Sequence, residues 1–391
     1  MSDPRLPIYL DYNATTPIHP DVAAAMRPFL DNNFGNPSSA HYYGSAARVA
    51  VVTARLQIAD MLGCAPDEII FTSGGTESDN HSLKGYAWAN NDRGNHIITS
   101  AIEHPAVLNV CRYLEQHGYE VTYVPVDGHG MVDPSAVQQA IRNNTIMISI
   151  MHANNEVGTI QPIREISALA RSRNIVFHTD AAQSIGKIPC RVDELGVDLL
   201  TMAGHKLYAP KGVGALYIRK GIQLEPLLHG AGHEQGRRAS TENVLGIVGL
   251  GKACELITQA GANTAGQLSS LRDRLQAQLQ DRIPDSRFNG HATQRLPNTL
   301  NLSFAGINAS DLLAELRDSV AVSGGAACHD NTVEISQVLK AMAVPRQWAV
   351  GTIRLSIGIF TTAAEINMSV ELIAAAVKIL REEKLNHATK H

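Results

Sequence analysis

Two stretches of this sequence decide its fold, Asn174-Ile175-Val176-Phe177-His178-Thr179-Asp180 and Ala203-Gly204-His205-Lys206. An apolar run that ends in an acid is typical of a buried strand with the acid, here Asp180, at its carboxyl end. A lysine between small and polar neighbours, such as Lys206, is a candidate for Schiff-base chemistry. Together they suggest a pyridoxal phosphate site, in which the lysine holds the aldehyde and the acid keeps the pyridine nitrogen protonated. The alternative is a surface lysine and a strand-end acid that never meet.

Apolar, strand-like runs alternate with amphipathic helical patterns through the middle of the chain. Most of these runs are nearly continuous in apolar character, as expected for strands buried on both faces. The alternation predicts an α/β fold with a mainly parallel, doubly wound sheet. Sheets of this kind bind ligands at the carboxyl ends of their strands. The predicted strands are 68–72, 96–99, 120–124, 146–151, 175–177 and 199–202, and the predicted helices are 45–62, 105–117, 134–142 and 163–173.

The C-terminal part of the sequence has a different pattern, which begins after a long helical stretch near 264–282. A chain of 391 residues is long for a single core. We therefore expect a large cofactor-binding domain at 15–262 and a smaller α+β domain made of 1–14 and 263–391. The predicted elements of the smaller domain are strands at 299–304 and 352–356 and helices at 309–317 and 363–382.

Composition excludes several classes of function. The net charge of -4 gives no electrostatic reason to bind nucleic acid or an anionic membrane. No apolar run is long enough to span a bilayer, and the N-terminus lacks the pattern of a secretion signal. The five cysteines include no CxxC pair, which argues against a zinc site or a disulfide framework. We therefore expect a cytoplasmic enzyme without a metal.

The segment Phe71-Thr72-Ser73-Gly74-Gly75-Thr76 follows a predicted strand and opens a predicted helix. Gly74 and Gly75 would let backbone N–H groups approach an anion, the helix N-terminus adds its dipole, and Thr76 adds a hydroxyl donor. These features indicate a phosphate-binding turn. An ordinary βα turn is also rich in glycine and serine, and the motif alone does not exclude it.

Polar motifs follow two other predicted strands. His104, fixed by the proline after it, could stack on a planar ring or act as an acid or base. The amides of Asn154 and Asn155 could bind a carboxylate or a phenolate oxygen. The alternatives are a surface histidine that begins a helix and a turn rich in asparagine.

Arg354 lies inside the apolar strand Thr352-Ile353-Arg354-Leu355-Ser356. A charge in such a strand needs a partner. A substrate carboxylate bound by two parallel hydrogen bonds would provide one. A structural salt bridge would serve equally well, and the residues themselves leave both alternatives open.

Cys328 lies between Gly324-Gly325-Ala326-Ala327 and His329-Asp330-Asn331-Thr332. This small, polar and mobile setting suits an exposed thiol, and His329 is near enough to favour the thiolate. Cys328 is therefore the candidate reactive cysteine. The remaining cysteines lie on apolar or helical stretches and are typical of small core residues; they are Cys64, Cys111, Cys190 and Cys254.

Taken together, these motifs show that the chain resembles the cysteine desulfurases, which are pyridoxal phosphate enzymes of fold type I in the class V aminotransferase group. The resemblance runs nearly from end to end. It implies a fold-type I transferase with a large parallel-sheet domain and a smaller C-terminal domain that carries the catalytic cysteine. The motifs that carry it most specifically are 9–17, 35–41, 72–78, Glu103-His104, 154–158, the pair Asp180 and Gln183, His205-Lys206 and 238–243.

The resemblance also implies a role for each matching residue. Lys206 would be the Schiff-base lysine, and His104 would stack on the ring and take part in proton transfer. Asp180 would pair with the pyridine nitrogen and Gln183 with the phenolic oxygen. The remaining implied roles are phosphate binding for Gly75, Thr76 and His205, binding of the substrate carboxylate for Asn155 and Arg354, and a substrate-binding position for Asn13.

Two further implications concern partners. Thr241 would reach the phosphate of a neighbouring subunit's cofactor, which implies a homodimer. Cys328 would take sulfur from L-cysteine as a persulfide, leave L-alanine, and pass the sulfur to an acceptor. An iron–sulfur scaffold, a tRNA thiolation enzyme or a DNA phosphorothioation protein would each fit as that acceptor.

The sequence departs from the family pattern at two places. Many members have a serine where this chain has Ala203, which removes one hydroxyl donor to the phosphate. The Ala326-Ala327-Cys328-His329 segment is closer to selenocysteine lyases and to specialised desulfurases than to housekeeping desulfurases. The alternatives are therefore a selenocysteine lyase, a pyridoxal aminotransferase, or a non-catalytic scaffold that docks sulfur acceptors. The presence of both Lys206 and Cys328 argues against the scaffold.

Overall fold

The computed structural model describes residues 6–261, 263–324, 326–329 and 332–388. The strands are β1 (Ile8–Tyr9), β2 (Ile69–Thr72), β3 (His96–Ser100), β4 (Glu120–Val124), β5 (Thr145–Ser149), β6 (Val176–Asp180), β7 (Leu199–Ala203), β8 (Gly214–Ile218), β9 (Ser286–Phe288), β10 (Thr299–Phe304), β11 (Val320–Ala321), β12 (Ser323–Gly324), β13 (Ala326–His329), β14 (Thr332–Ile335) and β15 (Thr352–Ser356). The α-helices are α1 (Pro20–Asp31), α2 (Tyr42–Leu62), α3 (Gly75–Asn80), α4 (Tyr86–Ala89), α5 (Pro105–Glu115), α6 (Pro134–Ala140), α7 (Ile163–Ser172), α8 (Val192–Leu195), α9 (Val244–Ala260), α10 (Asn263–Arg282), α11 (Ala309–Leu316), α12 (Gln337–Ala341), α13 (Arg346–Ala349) and α14 (Ala363–Ala388).

A seven-stranded sheet with the order β2-β8-β7-β6-β5-β3-β4 forms the centre of the molecule. The pairs β3–β4, β3–β5, β5–β6 and β6–β7 are parallel, whereas β8 is antiparallel to both of its neighbours. The predicted fold class is therefore confirmed. Strand β8 was not predicted, because its short run begins with glycine and comes two residues after the turn at Lys211 and Gly212.

Six strands of this sheet, β2 to β7, point the same way, so the segments that follow them reach the same edge. The motifs after β2, β3, β5, β6 and β7 therefore converge there. Helix α3 begins directly after β2 and continues through a π-helical turn, His81–Gly85, into α4. Helix α5 begins at Pro105, and His104 caps it by accepting a hydrogen bond from the N–H of Ala106.

A second sheet, β12-β15-β10-β9, is antiparallel and lies in the C-terminal part of the chain. Its apolar side packs with α10, α11 and α14 around a core of its own, which also includes Leu10 from the N-terminal segment. This arrangement agrees with a smaller domain made of both chain ends, and the exact boundaries at 1–14 and 263–391 remain a prediction. Helix α14 extends beyond the predicted end at residue 382.

Two more predictions concern the cysteines and the membrane. Cys111, Cys190 and Cys254 are buried free thiols, and Cys64 is partly buried, as core residues would be. Within the described residues, no helix by itself has the length and hydropathy of a bilayer span. The consecutive helices α9 and α10, which meet at 84°, reach that threshold only as a pair.

Candidate active site

A cavity of about 280 Å³ lies at the edge where the parallel strands end. It brings together nearly every residue that the sequence predicted for the site. The predicted residues that line it are Asn13, Gly75, Thr76, His104, Asn155, Asp180, Gln183, His205, Lys206 and Arg354.

Lys206 ends a short 3-10 turn that follows β7. Its ammonium donates hydrogen bonds to the backbone carbonyls of Asn13 and Ala14, the second at 2.8 Å. Burial, followed by the positive charge of Arg354, lowers the pKa of Lys206 to about 8. A sizeable fraction of this amine is therefore neutral, and so nucleophilic, near physiological pH.

Asp180 is the last residue of β6, and its side chain is buried. One carboxylate oxygen accepts a hydrogen bond of 2.9 Å from the N–H of Ala182. Burial raises the pKa of Asp180, and the nearby His104 and Lys206 offset only part of this effect. A carboxylate in this position is therefore stabilised by any cation or N–H donor that enters the cavity.

The turn after β2 has the geometry of an anion cradle. Gly74 has a φ of 148°, a conformation that side chains rarely adopt, and it opens the first turn of α3. A Cβ added to Gly75 would lie 3.3 Å from the Cβ of Ala203, so the backbone is closely packed against β7. The N–H groups of this turn and the hydroxyl of Thr76 therefore border the cavity at a helix N-terminus.

Two histidines line the cavity as weak bases. The Nδ1 atom of His104 accepts from Ala106, so the neutral ring carries its proton on Nε2. His104 keeps an exposed surface, but partial burial still lowers its pKa, and Asp180 offsets this only in part. Burial, together with the charge of Lys206, lowers the pKa of His205 to about 4. Both rings can therefore be neutral at physiological pH.

Arg354 forms the structural salt bridge that was one of the two alternatives left open by its sequence. Its guanidinium makes an ion pair of 2.7 Å with Asp11, and only 11% of its side chain is exposed. It also donates to the carbonyl of Asn155 at 3.1 Å and to the hydroxyl of Ser323 at 3.0 Å. Arg354 also lines the cavity, so binding of a substrate carboxylate stays a prediction beside the observed salt bridge.

Asn13 joins the two sheets. Its amide nitrogen donates to Thr299 at 2.8 Å and to the carbonyl of Asn155 at 3.1 Å, and its amide oxygen accepts from Asn298. Its backbone carbonyl accepts from Gln183 at 2.8 Å and from Lys206. The side chain is thus bound within the protein, and the carbonyl is the group that faces the lysine.

Sequence reasoning missed two buried acids beside the site. Asp79 lines the cavity, and burial followed by the neighbouring Asp180 holds its pKa well above the ordinary value. Glu103 accepts hydrogen bonds from Ser100 and from the N–H of Met151, and burial raises its pKa to about 8. Glu103 belongs to the Glu103-His104 motif, and Asp79 follows the motif 72–78 directly, so an acid at each of these places could have been recognised from the sequence.

Thr241 and Cys328 are not part of this cavity as described. Thr241 is exposed and lies outside the cavity lining. The backbone of Cys328 belongs to β13, which pairs with β14 so that the Cα of Cys328 lies opposite Val333. This ladder replaces the open loop that we expected, and the Cys328 side chain is outside the described part of the structure.

Comparison with known proteins places the chain among enzymes of one group. Residues 8–368 match the family described as Aminotransferase class-V. Cysteine desulfurase IscS from Dictyoglomus turgidum is 50% identical over 96% of this chain and 95% of its own length. A solved structure described as a NifS-like protein superimposes with a TM-score of 0.90 at 38% identity, over 96% of this chain and all of that one.

A further solved structure, described as SspA in complex with cysteine, is 38% identical with a TM-score of 0.80. It covers 91% of this chain and all of that one. The resemblance inferred from the sequence is confirmed by these relatives. The relatives named as desulfurases do not favour the alternative of a selenocysteine lyase.

Proposed function

The chain belongs to the cysteine desulfurases, pyridoxal phosphate-dependent enzymes of the class-V aminotransferase family, and from this premise we propose how its residues act. The single observation that carries the proposal is the meeting of Lys206, with its lowered pKa, and the buried Asp180 in one cavity. These residues come from different strands, and the edge of the parallel sheet brings them together. That both line the same cavity supports the proposal.

The residues of the cavity fit the cofactor. Asp180 is a buried carboxyl that needs a cationic partner, and a protonated pyridine nitrogen would supply one. The closely packed Gly74–Gly75 turn would hold the phosphate through backbone N–H groups, with Thr76 and His205 as further donors. Gln183 would donate to the phenolic oxygen. When bound, pyridoxal phosphate supplies an electron sink for the substrate's α-carbon.

We assign proton handling to Lys206 and His104. Lys206, once released from the cofactor, would remove the α-proton of the substrate, because its pKa of about 8 leaves part of the amine unprotonated at neutral pH. His104 would stack on the ring and carry protons to or from the substrate sulfur through Nε2, since Nδ1 is engaged by Ala106.

Substrate binding is assigned to the opposite side of the cavity. Arg354 would bind the carboxylate of L-cysteine together with the side chain of Asn155, whose backbone carbonyl already fixes the guanidinium. Asn13 would act through its carbonyl, which faces Lys206. These positions orient the substrate relative to the ring.

Cys328 is the proposed sulfur acceptor. Its thiolate would form an S–S bond with the substrate sulfur while the C–S bond of the substrate breaks and leaves its electron pair on carbon. The carbon then takes a proton and departs as L-alanine, and the persulfide on Cys328 keeps the sulfur. The step needs no external oxidant, since both electrons of the broken bond stay with the product.

The enzyme is proposed to act as a homodimer. A cluster of exposed apolar side chains near the start of α2 supports this, because Phe34 is 76% exposed and Tyr42 is 82% exposed. A second copy would cover this cluster and would bring its exposed Thr241 to the cofactor phosphate. Sedimentation of the wild type and of Tyr42→Glu tests this: the variant should shift towards the monomer, and a monomeric wild type would contradict the proposal.

The acceptor is proposed to be a protein such as an iron–sulfur scaffold or a thiolation enzyme, in the cytoplasm. Free thiols at all four cysteines whose side chains the structure describes support a reducing compartment. Incubation with ³⁵S-labelled cysteine and each purified acceptor, followed by non-reducing gel analysis, would identify the acceptor that becomes labelled.

The proposed activity is tested with the purified holoenzyme and L-cysteine. We expect L-alanine and sulfide in the presence of a reductant, and a persulfide on Cys328 in its absence, detected by mass spectrometry of the peptide. Cys328→Ala should bind the cofactor but lose alanine formation, whereas the matched control Cys64→Ala should keep it. Full activity of Cys328→Ala would show that the thiol is not required.

A further inference from the structure

A second lysine, Lys187, lies in the wall of the same site. Its ammonium donates two hydrogen bonds of 2.9 Å, one to the backbone carbonyl of Gln183 and one to the Oε1 atom of the same residue. A cleft of about 20 Å³ is lined by both Lys187 and Lys206, so the two lysines border the same small space.

The surroundings of Lys187 are unfavourable for a cation. Part of the residue's surface remains exposed, but its ammonium lies in the interior, and burial lowers its pKa to about 7. The positive charges of Lys206 and Arg354 lower the pKa of Lys187 further, and the buried Cys190 thiol is the titratable group that acts in the opposite direction. A lysine in an environment that disfavours its charge suggests a function for that charge, since an apolar side chain would fill the same space at a lower cost.

The hydrogen bonds of Lys187 fix the orientation of the Gln183 amide. The protonated amine has donors and no acceptor, so in this form only Oε1 can face it. The Nε2 group must then point the other way, where it donates to the carbonyl of Asn13 at 2.8 Å on the cavity side. If the amide were flipped, the NH₂ group of Gln183 would face the Lys187 ammonium, and its Oε1 atom would face the carbonyl oxygen of Asn13. Lys187 and Asn13 therefore select the same orientation from opposite ends.

We propose that Lys187 is a positioning residue that locks the Gln183 amide with its N–H groups towards the cavity and polarises it as a hydrogen-bond donor. This inference rests on the proposed function, in which Gln183 donates to the phenolic oxygen of the cofactor. A donor whose carbonyl is bound to a cation is stronger than a free amide, because the charge withdraws electron density through the amide. Lys187 thus acts on the cofactor through Gln183 without touching it.

The test uses the holoenzyme and three variants, Lys187→Met, Gln183→Leu and the double variant. Methionine keeps the length of the lysine stem and removes the charge. We expect Lys187→Met to weaken cofactor affinity roughly tenfold and to move the pH midpoint of the cofactor's visible absorbance upward by about one unit, since an amide donor polarised by the Lys187 charge favours the less protonated chromophore. In the Gln183→Leu background the same change should move neither quantity further.

Two outcomes would overturn the proposal: an unchanged pH midpoint in Lys187→Met, or an equal shift in both backgrounds. Gln183→Glu gives a second readout if Lys187→Met fails to fold, as judged by the melting temperature of the apoprotein. Glutamate keeps an oxygen that accepts from Lys187 but offers no N–H group, so the cofactor should bind as weakly as in Gln183→Leu. Wild-type affinity would contradict the proposal. Failure of the wild type to bind pyridoxal phosphate would instead overturn the proposed function.

Discussion

The cavity has two walls of different construction. The large-sheet wall consists of the residues that follow the parallel strands, with Asp180 and Lys206 at its centre. The small-sheet wall consists of Arg354 on β15 and the N-terminal segment at Asn13, which the same sheet holds through Thr299 and Ser356. The first presents groups whose pKa values are shifted by burial, and the second presents groups already paired with protein partners.

The large-sheet wall therefore holds the reactive groups, and the small-sheet wall holds the groups that position the substrate. Burial on the large-sheet wall lowers the pKa of Lys206 and raises that of Asp180, which prepares both for chemistry with a ring. On the small-sheet wall, the ion pair between Arg354 and Asp11 holds a cation at a fixed position. Substitutions on the first wall should therefore change the cofactor and its reactivity, and those on the second should change substrate binding.

The largest effect is expected from Lys206→Ala. Without the amine, the cofactor cannot be held covalently, and desulfuration should fall by roughly a thousandfold or more. Reduction with borohydride followed by intact-mass measurement checks this, because the wild type should gain the mass of the cofactor and the variant should not. Lys187→Met is the matched control and should still be labelled. Labelling of Lys206→Ala at another lysine would break the assignment of the large-sheet wall.

A smaller effect is expected from Arg354→Gln on the opposite wall. The loss of a charged donor to the substrate carboxylate should raise KM for L-cysteine by roughly 10- to 100-fold, with the cofactor's absorbance unchanged. Steady-state kinetics over a range of cysteine concentrations separate KM from kcat. Arg346→Gln, at an exposed position on α13, serves as the control. A change in the cofactor spectrum comparable with that of a large-sheet variant would contradict the division between the walls.

The large-sheet wall was predictable from sequence, whereas much of the small-sheet wall was not. Buried parallel strands are nearly continuous apolar runs, so the polar residue after each run, such as Asp180, marks a strand end. The pairing of Arg354 with Asp11 joins residues from opposite ends of the chain. No local pattern encodes such a contact, since it depends on how the two sheets pack.

The same reasoning explains the interactions that sequence analysis missed within the large-sheet wall. Gln183 was assigned from its motif, but its bonds to Lys187 and to the carbonyl of Asn13 follow from side-chain packing. Asp79 received no role, because its neighbour Asp180 is distant in sequence. The sequence therefore predicts which polar residues lie near the strand ends, but it does not predict the partners to which they bind.

The pH dependence of cofactor attachment provides a third test. Only the neutral amine of Lys206 reacts, so the rate of covalent attachment to the apoprotein should rise with pH. With a pKa of about 8, the rate should increase about tenfold between pH 7 and pH 9 and then level off. An ordinary lysine would show a steeper rise without a plateau in this range. Stopped-flow absorbance after mixing with pyridoxal phosphate measures it, and a rate that still climbs above pH 9 would contradict the lowered pKa.

The smallest effect is expected from Ala203→Ser, which restores the residue that many desulfurases carry. Ala203 is 3% exposed, lines the cavity, and faces Gly75, so a hydroxyl there would add a donor beside the phosphate cradle. One added hydrogen bond to an anion is worth about 1 kcal/mol, which corresponds to roughly fivefold tighter cofactor binding.

Ala203→Val is the matched control for this last change, because it adds bulk without a donor. Against the close approach of Gly75, the extra methyl groups should weaken binding, so the two variants should change the cofactor dissociation constant in opposite directions. Equilibrium dialysis with the apoproteins measures both constants. If serine and valine weaken binding alike, the space beside Gly75 is already filled. This chain would then have alanine at position 203 because a larger side chain does not fit there, and not because a phosphate contact was lost.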